Sequence, residues 1–389
     1  MPFRKSLYRL SRWLVLLAAG LSGSCKEPLP QQPVTKPGAD TSSPTACVYV
    51  LCEGLYGMNN ARLVAWNRRT GQVEQDAFSK ANQRGLGDTG NDLLLYGGKL
   101  YVVMSGSNTV EVADAATLRS LRQIPFTNGA GVGRQPRYAC AENGKVYVCC
   151  FDGSVIRLDT ASLEIEATAR AGINPDGICV SGGKLYVSNS GGLSFPYCDS
   201  TVSVIDLASF QEISRITVGT NPYTIASDSR GYVYVCTRGD YDGFHQKKAG
   251  RGGESYNFYR IDPQKDSVDR VFNIPVLNFH LYNDTAYLYN FDYNANVSWI
   301  GVFDLKTEDF VSENFIADGT RLQKPYAIGV EPGTGMVYIG EAYSHLSSGS
   351  LLVFTPTGFL KSVLHGLGLN PSGMVFLQDG TAIGQAPLR

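Results

Sequence analysis

The 389-residue sequence has almost no net charge, with 34 basic side chains against 35 acidic ones. A nucleic-acid binder would show a basic stripe, so that class is set aside. Histidine is scarce: His245, His280, His345 and His365 are the four in the chain. There is no H-E-x-x-H pair and no G-x-S-x-G elbow, the signatures of common zinc proteases and esterases. No His/Tyr or paired-carboxylate constellation for a sugar lyase or hydrolase can be assembled, and no pattern for a quinoprotein cofactor is visible. No catalytic residue is therefore assigned, and a non-enzyme is expected. None of the nine cysteines forms a C-x-x-C pair, which argues against a zinc site. Cys140, Cys149, Cys150, Cys179 and Cys236 lie in apolar, strand-like runs and read as small buried hydrophobes. A long apolar run is missing too: Trp13 to Leu21, "WLVLLAAGL", is shorter than the about 20 residues a spanning helix needs.

That short run has its own meaning. Arg4, Lys5, Arg9 and Arg12 precede it as a basic region, and "LSGSC" follows, ending at Cys25. This order is that of an export signal. Small residues leading into a cysteine resemble a lipobox, with Ser22 where Leu is usual. The expectation is a signal peptide over residues 1–24 and lipidation of Cys25. A flexible tether, rich in Pro, Gln, Ser and Thr, then runs over residues 25–45.

The abundant residues are Gly, with 43, and Tyr, with 22, a composition of short strands joined by tight turns. A strand recurs through the chain as "CVYV", "KLYV", "KVYV", "KLYV", "YVYV", "AYLY" and "MVYI". Its tyrosines are Tyr49, Tyr101, Tyr147, Tyr186, Tyr234, Tyr287 and Tyr338, at a mean spacing of about 48 residues, as in propeller blades. A second alternating strand usually follows and ends at an Asp and a turn, as in "VIRLDTASL" and "VSVIDLASF". A proline usually marks the segment before each copy, as in "RQPRYA", "INPDGI", "TNPYTI", "QKPYAI" and "LNPSGM". Each unit reads as a four-stranded blade, which cannot bury both of its faces alone. The final "LNPSGMVFLQDG" is an innermost strand without its blade, and "VYVLCEG" is a second strand without its innermost one. The predicted fold is all-β, a seven-bladed propeller over residues 46–389, closed by the C-terminal strand joining the first blade.

The repeat "GTNPYTIASDSRGYVYV" resembles YVTN-type propeller repeats. "YVLCEGLYGMNNARLVAWNRRTGQVEQDAF" followed by "GLGDTGNDLLLYGGKLYVV" resembles the surface propeller lipoproteins of Bacteroides-type bacteria. The resemblance covers about residues 46 to 386. It implies a lipid-anchored protein on the outer membrane, exposed at the cell surface, with the lipid as its only membrane contact. Some members of that group capture cobalamin and pass it to a TonB-dependent outer-membrane transporter; others have no assigned ligand. A corrinoid ligand and such a transporter are the implied partners.

In a four-stranded blade, the loops between the second and third strands share one face with the segments that lead into the next blade. Several of these loops are long and rich in aromatics, Asn, Asp and Ser, whereas the turns on the opposite face are short. Function gathers in such loops. Candidate ligand contacts are Tyr56, Phe195, Tyr197, Tyr241, Phe244, Phe291, Tyr293 and Tyr343 as flat apolar surfaces with polar tips. Asn59, Asn60, Arg238, Asp240, Asp292 and Asn296 are candidate donors and acceptors. Arg137, Asp176, Tyr223 and Tyr326 each follow a marking proline and are expected to point toward the axis. His245 and His345 lie in loops of this face. A large amphipathic ligand suits the mixture, such as a corrinoid or an oligosaccharide. A scaffold for protein–protein contact or adhesion and a carbohydrate-binding surface protein are the alternatives. The RGD at Arg238-Gly239-Asp240 is read as incidental. "DYDG" sets two carboxylates at alternate positions but lacks the distal Glu of a calcium loop, so calcium is the weaker reading and no cofactor or metal is assigned.

Overall fold

The computed structural model describes residues 38–194, 198–239, 256–292 and 297–379. All of them belong to one compact unit, Thr35–Arg389. Their strands form seven four-stranded antiparallel sheets, the predicted seven blades. We number the blades along the chain and letter their strands A to D from the axis outward. The A strands are Pro371–Gln378, Gly90–Tyr96, Pro136–Glu142, Pro175–Ser181, Pro222–Ser227, Asn278–Tyr282 and Pro325–Val330 for blades 1 to 7. The B strands are Thr45–Cys52, Lys99–Met104, Lys145–Cys150, Lys184–Asn189, Val233–Thr237, Thr285–Asp292 and Val337–Glu341.

Blade 1 takes its A strand from the far end of the sequence. Pro371–Gln378 pairs antiparallel with Thr45–Cys52, setting Val375 opposite Tyr49. The ring is closed by this clasp. Hydrophobic alternation explains the packing between blades. The recurring B-strand tyrosines are buried, Tyr101, Tyr186, Tyr234 and Tyr338 completely. Several also stitch one blade to the next. The Tyr49 hydroxyl donates to the Ala115 carbonyl of blade 2 at 2.7 Å, and the Tyr186 hydroxyl to Asp266 of blade 5 at 2.6 Å. The recurrent Asp at the end of strand C closes the next turn through its side chain. Asp159 Oδ1 accepts from the backbone N–H groups of Ala161 and Ser162 at 3.0 and 2.7 Å, and Asp114, Asp206 and Asp304 repeat the device. The cysteines predicted to be core residues, Cys140, Cys149, Cys150, Cys179 and Cys236, are buried. Burial pushes the Cys149 thiol up to about 12 and the Cys236 thiol up to about 11, so neither is a ready nucleophile.

Two features were not anticipated. Strand D of blade 1 is only Val73–Glu74, and the one helix among the described residues, Ala77–Asn82, follows it. Phe78, 1% exposed, plugs this helix into the core between blades 1 and 2. The residues just before blade 1, assigned to the tether from sequence, are held at the closure seam. Asp40 bonds Arg68 at 3.0 Å, Ser43 Oγ donates to the buried Glu331 of blade 7 at 2.7 Å, and Asp379 N–H donates to the Pro44 carbonyl at 2.9 Å. The signal peptide, Cys25 and the first part of the tether lie outside the described residues. No helix among the described residues is long and apolar enough to cross a membrane.

Candidate functional site

The A strands line the axis, and their registers define a ring. In each blade, count back three residues from the A-strand residue that faces the B-strand tyrosine. Blades 1 to 4 then give Ser372, Asn91, Arg137 and Asp176. Blades 5 to 7 give Tyr223, Leu277 and Tyr326. In six blades this residue falls in a break of the A–B ladder, a β-bulge immediately after the first residue of strand A. A bulge turns a side chain out of the alternation of its strand. The marking proline sits at a strand start, where its missing N–H costs no ladder bond. The residue ahead of it is often Asn in the left-handed region: Asn174, Asn221 and Asn370 have φ of 46, 57 and 55°. Asn tolerates that conformation better than other side chains do, which accounts for the repeated Asn-Pro pair.

Behind the ring lies an axial chamber of about 310 Å³ to which all seven blades contribute. Its groups are engaged with one another. Arg137 Nε donates to Asp176 Oδ1 at 2.9 Å, and its guanidinium lies over the Phe151 ring at 4.3 Å. Burial works against the Arg137 charge, but Asp176 and the nearby tyrosines outweigh it and hold the pKa above the ordinary arginine value. The Tyr138 and Tyr223 hydroxyls share a hydrogen bond of 3.2 Å, and Arg238 covers the Tyr223 ring. Tyr326 donates its hydroxyl to Glu53, a half-buried residue just after strand B of blade 1. Burial raises the Glu53 pKa, with Tyr326 and Arg137 opposing. Burial and then Glu53 push the Tyr326 hydroxyl well above the usual tyrosine range. His345 meets the edge of the Tyr326 ring and bonds Asn370 through Nδ1 at 3.0 Å. Among the described residues no group of three or more His, Cys, Asp or Glu could hold a metal ion.

Of the residues singled out from sequence, Arg137, Tyr223, Tyr326, Arg238 and Phe291 line this chamber, and Asp176 joins them through Arg137. Tyr56 stands at the rim, 80% exposed. Asn59 occupies the same loop with a φ of 51°. Asn60 and Tyr343 hold their own blades: Asn60 Oδ1 accepts from Leu55 N–H at 2.9 Å, and the Tyr343 hydroxyl donates to Ser350 Oγ at 2.9 Å. Asp292 ends strand B of blade 6. Phe195, Tyr197, Asp240, Tyr241, Phe244, His245, Tyr293 and Asn296 lie outside the described residues, as does the side chain of Asp292. Glu53, Tyr138, Tyr289 and Lys324 line the chamber without having been assigned to it from sequence. The loops and blade-entry segments of the same face also carry exposed apolar residues, Tyr56, Met58, Val132, Ile173, Leu193 and Leu346.

Residues 46–240 match the family described as a domain of unknown function, DUF5074. The chain belongs to that family. No curated protein matches this DUF5074 chain. Among solved structures, the DUF5074 chain is similar to a quinonprotein alcohol dehydrogenase-like protein from Bacteroides thetaiotaomicron. That match has a TM-score of 0.58 and 17% identity over 86% of this chain and 79% of the other. It is also similar to Kuenenia stuttgartiensis hydrazine synthase, with a TM-score of 0.52 and 17% identity over 67% of this chain and 75% of that one. Dihydro-heme d1 dehydrogenase NirN matches with a TM-score of 0.53 and 13% identity over 89% and 77% of the two chains. At these identities the likeness is one of fold. For the DUF5074 propeller, the fold is of the kind used for ligand binding or interaction.

Proposed function

We propose that the protein captures an amphipathic small molecule on its loop face, with a polar group of the ligand seated in the axial chamber and an apolar body laid across the rim. One observation carries this reading: a ring of mostly polar and charged side chains shares its face with loops that expose Tyr56, Met58, Leu193 and Leu346. A chamber of about 310 Å³ is at the small end of ligand sites, so a ligand that also covers the rim must extend beyond it. A corrinoid, with its broad ring and peripheral amides, meets that description, and the resemblance of the sequence to cobalamin-capturing propellers supports it. On this reading Cys25 anchors the protein at the outer membrane and the ligand passes to a TonB-dependent transporter. Binding rather than turnover is favoured because Asp176 holds Arg137 and Glu53 holds Tyr326, so the polar groups of the ring are positioned in advance of a ligand.

Calorimetry of the purified protein with cyanocobalamin is expected to give saturable binding at micromolar concentration or tighter, as about −8 kcal/mol of binding free energy implies. Absence of heat at that concentration would sink the corrinoid reading. Heat with glycans instead would move the rim to carbohydrate.

A further inference from the structure

We infer that the axial chamber is the seat of an anionic oxygen group, a carboxylate or a phosphate, carried by the ligand; this rests on the ligand-capture reading above. Three cations reach the chamber from three blades: Arg137 of blade 3, Arg238 at the end of strand B of blade 5, and Lys324 just before strand A of blade 7. The carboxylates near them are already committed. Asp176 takes the Nε of Arg137 at 2.9 Å, and Asp92 Oδ2 accepts the backbone N–H of Ala139 at 2.9 Å. Glu341 accepts three backbone N–H groups, those of Gln323, Lys324 and Tyr343, at 2.8, 2.5 and 3.1 Å. Glu53 accepts the Tyr326 hydroxyl, and burial shifts it toward its neutral form.

The donors are less fully used. Among the described residues only Nε of the Arg137 guanidinium is hydrogen-bonded, which leaves its two terminal nitrogens for the chamber. The Lys324 ammonium forms no ion pair among the described residues and approaches only the Phe291 ring, at 5.8 Å. Of the paired Tyr138 and Tyr223 hydroxyls, one donates to the other, which leaves one hydroxyl hydrogen to offer. Hydrogens left over on a guanidinium, an ammonium and a phenol favour an oxygen anion, and a guanidinium fork matches carboxylate and phosphate oxygens alike. The Glu341 carboxylate fixes the backbone of Lys324 in advance, so ligand binding need not order that segment.

The test uses three aromatic probes of similar size on the full chain: benzoate, phenyl phosphate and the neutral benzamide. Benzoate or phenyl phosphate is expected to bind by calorimetry with benzamide about tenfold weaker or undetectable. The stronger of the two acids identifies the oxyanion. Lys324→Met is expected to weaken the acid about tenfold, and Lys324→Arg to restore it, with unchanged melting temperatures showing that both variants are folded. Benzamide binding as tightly as the acids, no binding of either acid, or an affinity indifferent to Lys324→Met in a folded protein would overturn the inference. Cyanocobalamin titrated into the same samples separates the two readings: loss of corrinoid binding with retained benzoate binding removes only the corrinoid.

Discussion

Glu53 is a mouth residue whose protonation the fold shifts. Its carboxyl is partly shielded from water beside Tyr326, and burial, the largest cause, raises its pKa. A carboxyl raised in the folded state favours folding below its unfolded value of about 4.3, and that contribution is lost as the pH rises through the folded value. Glu53→Gln removes the titration while keeping an acceptor for the Tyr326 hydroxyl. The variant is expected to be more stable than the parent at neutral pH and equal to it near pH 4. Urea unfolding at the two pH values measures this; a deficit of the same size at both would mean that Glu53 is not held toward neutrality. Glu53 was hard to see in the sequence because "CEGLYGMNN" draws attention to its tip, Tyr56, Asn59 and Asn60. Only ring closure, which sets blade 1 against blade 7, brings it to Tyr326. Arg137, Asp176, Tyr223 and Tyr326 were legible because a proline one residue earlier announces each of them. Asn91 and Leu277 occupy the same ring position without that mark.

At the level of single strands, the bulge after the marking proline is the working device, and strand A of blade 4 shows how tightly it is built. A Cβ on Gly177 would collide with the Tyr223 carbonyl of the neighbouring blade and lie 2.8 Å from Ser188 Oγ. Gly177→Ala is therefore expected to cost about 2–3 kcal/mol and lower the melting temperature. Gly182, in the turn at the other end of the same strand, is a control: its φ is 56° and a Cβ there meets nothing within 4 Å. Gly182→Ala is expected to cost only about 1 kcal/mol through the left-handed backbone. Equal effects of the two substitutions in thermal melts would refute the close approach of blades 4 and 5. The strands and their Asp-closed turns were readable because period-two alternation and turn chemistry are local. The helix Ala77–Asn82 was not, since its six residues are too short for a helical period to declare itself.

For the whole ring, the number of blades and the closing strand followed from the sequence because the repeat is incomplete at both ends in complementary ways. The chamber did not follow, since it is lined by residues of all seven blades that lie far apart in the sequence. Removal of residues 371–378 would leave blade 1 without its axial strand and expose one edge of Thr45–Cys52. Such a protein is expected to lose its cooperative thermal transition and to aggregate, as checked by circular dichroism and gel filtration. A sharp, monomeric transition would show that the clasp is dispensable. The clasp also sets an order of events during biogenesis. The residues that complete the first blade follow all the other strands of the ring in sequence, so a growing chain carries an open arc and the chamber cannot exist before residues 371–378 have been made.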